Sequence, residues 1–113
     1  MAEITLTVQR VLPTGITPSY TGSLSTSNTY LVRNSGRVLL HFKKSAAVIC
    51  TVTIATPPTV GGLAVAEQTC AVPATTGDKM IGPFPPRIYN DGAGDLRFTL
   101  SDVDGVTVAV VEL

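Results

Sequence analysis

Apolar and polar residues alternate along most of the chain. Ile4, Leu6 and Val8 are separated by Thr5 and Thr7, so an extended segment here has one apolar face and one hydroxylic face. The same period of two recurs in Val38, Leu40 and Phe42, and in Val48, Cys50, Val52 and Ile54 against Thr51 and Thr53. It returns in Leu96, Phe98 and Leu100 against Arg97 and Thr99, and closes with Val106, Val108 and Val110 against Thr107. Thr, Val and Ile dominate these runs because β-branched side chains suit a pleated, half-buried surface. No window carries an apolar stripe at helical spacing. The pattern predicts an all-β fold of seven or eight strands without significant helix. It is expected to be a compact two-sheet antiparallel β-sandwich, jelly-roll or immunoglobulin-like, with a small barrel as the other closure.

Turn residues punctuate the strands. Asn34-Ser35-Gly36 reads as a tight hairpin, and Pro57-Pro58 stops the strand ending near Ile54 because proline cannot donate to a ladder. Gly61-Gly62 releases the chain into a further extended run, LAVAEQTCAV, and Asn90-Asp91-Gly92 and Asp104-Gly105 are turn signals. Two segments depart from the alternation. Residues 12–29, LPTGITPSYTGSLSTSNT, hold two prolines, two glycines and many hydroxyls. They read as a long flexible loop, or as an arm that orders on a partner through Ile16, Tyr20 and Leu24. Residues 81–95, IGPFPPRIYNDGAGD, set Phe84 and Tyr89 among three prolines and three glycines, a composition that argues against any helix. Phe84 is expected to cap one end of the core. Phe84, Pro85 and Tyr89 also form a rigid apolar lip that costs little entropy to order against another subunit.

With 113 residues the chain is expected to form one domain, spanning 1–113, with a single core and no need of metal or disulfide staples. Charged residues make up only 14% and the formal net charge is zero, which argues against a nucleic-acid partner. Such a surface suits a chain packed against something else. Lys43-Lys44, the one adjacent basic pair, reads as a solvated strand end. The N-terminus lacks the marks of a secretion signal and no run approaches a membrane span, so a soluble, cytosolically folded chain is expected. In a reducing compartment Cys50 and Cys70 are expected to be free, buried thiols.

Candidate chemistry is sparse. His41 is the only histidine, has no acid or cysteine near it in sequence, and reads as a half-exposed strand residue. Gly61-Gly62 lacks the Lys and Ser/Thr of a phosphate-binding loop. Asp91 with Asp95, and Asp102 with Asp104, read as turn acids whose carboxylates bond nearby backbone N–H groups, since no bidentate Glu follows to complete a calcium loop. No catalytic residue, metal site or cofactor is expected, and the protein is not expected to be an enzyme.

Residues 51–113 resemble a group of small structural proteins of tailed bacteriophages. The likeness lies in ATPPTVGGLAV at 55–65, GPFP at 82–85, Tyr89-Asn90 and the closing VTVAV strand at 106–110. Residues 1–50 share only their richness in strands. These relatives look like head-decoration, or capsid-cement, proteins. The resemblance implies a virion component that is made in the host cytoplasm and binds the outside of the head. It implies the major capsid protein as partner and a homo-oligomer, a trimer foremost. It transfers no functional residue. Our own reading of the residues assigns contacts to Thr59, Val60 and Leu63 at the glycine turn and to Phe84, Pro85, Pro86, Tyr89 and Asn90 in the proline segment. Another tail or head–tail component, or a carbohydrate- or protein-binding sandwich, are the competing expectations; the absence of Trp counts against sugar binding.

Overall fold

The structure is a computed structural model and describes residues 3–113. Eleven strands form two packed sheets and a small separate hairpin. In chain order they are β1 (Glu3–Leu6), β2 (Gln9–Arg10), β3 (Thr29–Arg33), β4 (Val38–Lys44), β5 (Cys50–Ile54), β6 (Thr59–Val60), β7 (Leu63–Ala64), β8 (Gln68–Val72), β9 (Gly77–Ile81), β10 (Asp95–Leu100) and β11 (Val106–Glu112). A five-stranded sheet runs β1-β3-β10-β5-β8, and a four-stranded sheet runs β2-β11-β4-β9. The all-β sandwich expected from the alternation is therefore the fold. Its sheets are antiparallel except where the N-terminal strands join: β1 lies parallel to β3, and β2 parallel to β11.

The alternation sets the two inner faces. Tyr30, Val32, Cys50, Val52, Ile54, Leu96 and Phe98 line the five-stranded sheet, and Val38, Leu40, Phe42, Val106, Val108 and Val110 line the other, all nearly or wholly buried. Phe98 stacks on Tyr30 within its own sheet, centroids 5.6 Å apart, and meets Phe42 of the facing sheet edge-on at 5.7 Å. This three-ring contact ties the layers at the middle of the core.

From β8 onward the main strands change sheet at every step, as do β3, β4 and β5. That overturns the hairpin expected at Asn34-Ser35-Gly36: β3 and β4 belong to different sheets. The turn residues are present, with Gly36 at φ +91°, but buried Asn34 holds this corner through its side chain instead of a ladder. Its Nδ2 donates to the Phe84 carbonyl (3.0 Å) and to Asn90 Oδ1 (2.6 Å), and its Oδ1 accepts from Gly36 N–H (3.0 Å). The proline segment also departs from expectation, since Pro86–Tyr89 form one helical turn, α1. Pro86 sits where its missing N–H would have had no partner anyway, so it starts the turn rather than breaking it. Buried Phe84 caps the core end as expected.

Truncating Phe98 to Ala should lower the unfolding free energy by about 3–5 kcal/mol. Urea denaturation measures this; a loss below about 1 kcal/mol would remove the three-ring contact as the centre of the core.

Candidate functional site

The most exposed large apolar side chains belong to the small hairpin. Gly61 and Gly62 adopt φ +60° and +80°, the left-handed pair that a two-residue turn between twisted strands requires. The turn sets Thr59 opposite Ala64 and Val60 opposite Leu63. Val60 is 72% and Leu63 74% exposed, and residues 55–66 hold no charge. One hydrogen bond closes the base, from Thr56 Oγ1 to the Val65 carbonyl at 2.7 Å. The hairpin belongs to neither main sheet.

The hairpin leaves the five-stranded sheet at the end where β10 begins, because Ala55 N–H donates to the Arg97 carbonyl just beyond the Ile54–Phe98 pair. The proline segment leads into β10 at that same end. Its expected contact residues divide. Pro85 and Pro86 are exposed, but Phe84 is buried and Tyr89 half-buried, their rings edge-to-face at 5.3 Å. Asn90 is occupied internally: its amide also donates to the carbonyls of Asn34 and Gly94 at 3.2 and 3.3 Å. Phe84 and Asn90 are therefore struts of the corner, and the lip that faces solvent is Pro85-Pro86. Gly82 anchors the segment's start; at φ +131° an added Cβ would lie 2.7 Å from the Val38 carbonyl oxygen.

Asp91 organises the turn behind the lip. One carboxylate oxygen accepts the N–H groups of Ala93 (2.8 Å) and Asp95 (3.0 Å), and the other accepts Arg97 Nε (2.7 Å). Arg97 reaches on to Glu3 at 2.5 Å and so ties in β1. The Arg97 hydrogen bond, followed by the backbone donors, holds the Asp91 carboxyl below its ordinary value.

At the opposite end of the sandwich, where Val48 and Ile49 of the β4–β5 connection are exposed, the expectation for Lys43-Lys44 fails. The period of two puts the two side chains on opposite faces. Lys44 continues the inward series Val38, Leu40, Phe42, and its side chain is fully buried. Its ammonium donates to Asp102 Oδ2 (2.8 Å) and the Asp104 carbonyl (2.6 Å), stapling β4 to the β10–β11 connection. A buried ammonium needs such partners. This bond holds the Asp102 carboxyl below its ordinary value.

Residues 12–28 are not a free arm. They form a strap that pairs at Thr21 with the side of β11 away from β4 and lays the Tyr20 ring toward His41 and Lys43. Thr21 exchanges backbone bonds with Val108 at 2.7 and 3.1 Å, and the Gln9 side chain both donates to and accepts from Ser19. Tyr20 hydroxyl bonds His41 Nδ1 at 2.8 Å, His41 Nε2 bonds Asp78, and the Lys43 ammonium lies 5.0 Å from the Tyr20 ring centre. Leu24 is a core residue at 8% exposure, so it is no anchor for a partner; Ile16 is half-buried. The Tyr20–His41–Asp78 chain was hidden from the sequence because its members lie 21 and 37 residues apart. The chain clasps the strap to the sheet, joining Tyr20 to His41 on β4 and through it to Asp78 on β9.

Cys50 and Cys70 are both free, Cys50 buried as expected and Cys70 only half-buried, because β8 is an edge strand. Burial pushes the Cys50 thiol up. Among the described residues no cluster of three or more His, Cys, Asp or Glu is placed to hold a metal ion, and no helix is long and apolar enough to cross a membrane. No protein-family model, curated protein or solved structure matches this chain.

Two outcomes test these assignments. Asp91 and Asp102 ionise more readily folded than unfolded, so each adds stability that is complete above the ordinary value of 3.8 and is lost as pH falls through the folded one. Urea midpoints should therefore drop below about pH 4, and Asp91→Asn should flatten that drop; an unchanged slope contradicts the assignment. Tyr20→Phe should cost about 1 kcal/mol and speed amide exchange near Thr21, whereas unchanged exchange would leave the clasp without effect.

Proposed function

We propose that this protein is a structural component of a phage virion that binds the outer surface of the capsid and stabilises the shell by bridging capsid subunits. It acts by contact and carries out no reaction. The observation that carries this reading is the uncharged hairpin whose Val60 and Leu63 are 72% and 74% exposed. Monomeric proteins seldom keep large apolar side chains together on a projecting tip unless a partner covers them. The phage-like motifs support the same reading, since ATPPTVGGLAV is the hairpin itself and GPFP leads into the lip at the same sandwich end.

The major capsid protein is the proposed partner of this end. Thr59, Val60 and Leu63 would enter the contact directly, with Pro85 and Pro86 beside them. A standard interface buries about 800 Å² per partner, and repeated attachment adds avidity that a single weak contact lacks. Interface present only in the assembled shell stabilises that shell by linkage. The low charge and zero net charge favour protein surfaces over nucleic acid as the target.

Co-sedimentation with purified phage heads, expanded and unexpanded, tests the proposal. The native chain should pellet with heads. A Val60→Ser/Leu63→Ser double variant, which touches no core residue, should bind at least about tenfold more weakly. Absence of the native chain from both pellets would overturn the capsid reading; full binding by the double variant would move the contact elsewhere.

A further inference from the structure

Every open sheet carries two edge strands, and their unpaired backbone groups invite another chain unless something repels it. The edges here are β1 and β8 in one sheet and β2 and β9 in the other. Three of them are guarded by charge: Glu3 on β1, Arg10 on β2, and Asp78 and Lys79 on β9. The fourth, β8, reads Gln-Thr-Cys-Ala-Val and holds no charge and no proline.

The ladder shows which β8 groups face outward. Thr51 turns both backbone groups toward β10, since its N–H donates to Ser101 Oγ (2.7 Å) and its carbonyl accepts Ser101 N–H (3.0 Å). On β5 the groups facing β8 are thus those of Cys50, Val52 and Ile54, whose partners are Val72, Cys70 and Gln68. Thr69 and Ala71 therefore point their N–H and C=O groups away from the sheet. Among the described residues two weak, exposed side-chain contacts reach that side: the Gln68 amide donates to the Thr69 carbonyl at 3.2 Å, and the Cys70 thiol lies 4.0 Å from the Ala71 carbonyl.

We infer that β8 is a seam through which two copies of this chain pair antiparallel about a two-fold axis, joining their five-stranded sheets into one of ten. The strand is self-complementary for this. With the axis at Cys70, the third of its five residues, Thr69 of one copy faces Ala71 of the other and exchanges both backbone bonds with it. No like charges meet, because Glu67, the nearest charged residue, falls opposite Pro73. The two Cys70 residues then face each other in a non-hydrogen-bonded pair. Their Cα atoms would be about 4.5 Å apart, within the span of about 4.4–6.8 Å that a disulfide bridges. A two-fold seam uses the same patch on both copies. It differs from the three-fold assembly that the phage resemblance implies, and it does not depend on the capsid reading.

Light scattering on the purified, reduced chain should give twice the monomer mass of 11.8 kDa. Copper–phenanthroline in air should then convert two Cys70 thiols to one disulfide, the two protons and two electrons passing to the oxidant. A covalent dimer should appear on non-reducing gels, persist in Cys50→Ser and vanish in Cys70→Ser. Ala71→Pro removes an outward N–H that β5 does not use, and Thr69→Lys adds the missing edge charge. Both should raise the dimer dissociation constant at least tenfold while circular dichroism shows the strands intact. A monomeric or three-fold mass, no cross-link through Cys70, or a dimer indifferent to both edge variants would each overturn the inference.

Discussion

The meeting of Phe42 with Phe98 across the two sheets is the contact on which the rest of the molecule depends. It fixes the layers face to face, and with Tyr30 it fills the middle of a flat body only 22 Å through its thinnest dimension. A core this thin has little depth in reserve. Each end must be closed separately, and the two ends are closed by different physics. Phe84 and the Asn34–Asn90 amide pair shut one end, while Lys44 and Asp102 shut the other.

That difference sets the two ends apart by how they are closed, although each also exposes apolar side chains. At the Lys44 end the buried ammonium and its oxygen partners serve one another, while Val48 and Ile49 of the β4–β5 connection stand exposed. At the Phe84 end the internal hydrogen bonds are spent on holding the corner, and what remains for solvent is the Pro85-Pro86 lip and the apolar tip of the hairpin. The strap reinforces the asymmetry from the side. It keeps Tyr20 against His41 and Leu24 in the core, so the longest irregular segment is structural.

The sequence makes the sandwich legible because burial on one sheet face leaves a period of two along the core strands, although Val48, expected to open one such face, lies before β5 and is exposed. It also reveals the Gly61-Gly62 turn, since a two-residue turn between twisted strands demands left-handed residues. What it hides are relations of phase and distance. Lys44 keeps the phase of Val38, Leu40 and Phe42, a signal that is present but that the adjacent Lys43 disguises as a charged strand end. Asn34 reads as a hairpin residue because its side-chain partners at 84 and 90 lie 50 and 56 residues away. The Tyr20 clasp is hidden for the same reason. Only pairing order, which no local pattern encodes, shows that β8 is an edge.

Contact through the hairpin end is the central claim, and amide hydrogen exchange measured with and without assembled phage heads tests it most directly. The account predicts marked slowing at residues 59–64 when heads are present, with exchange at the Lys44 end unchanged. Protection confined to the Lys44 end, or none anywhere on the chain, would contradict it.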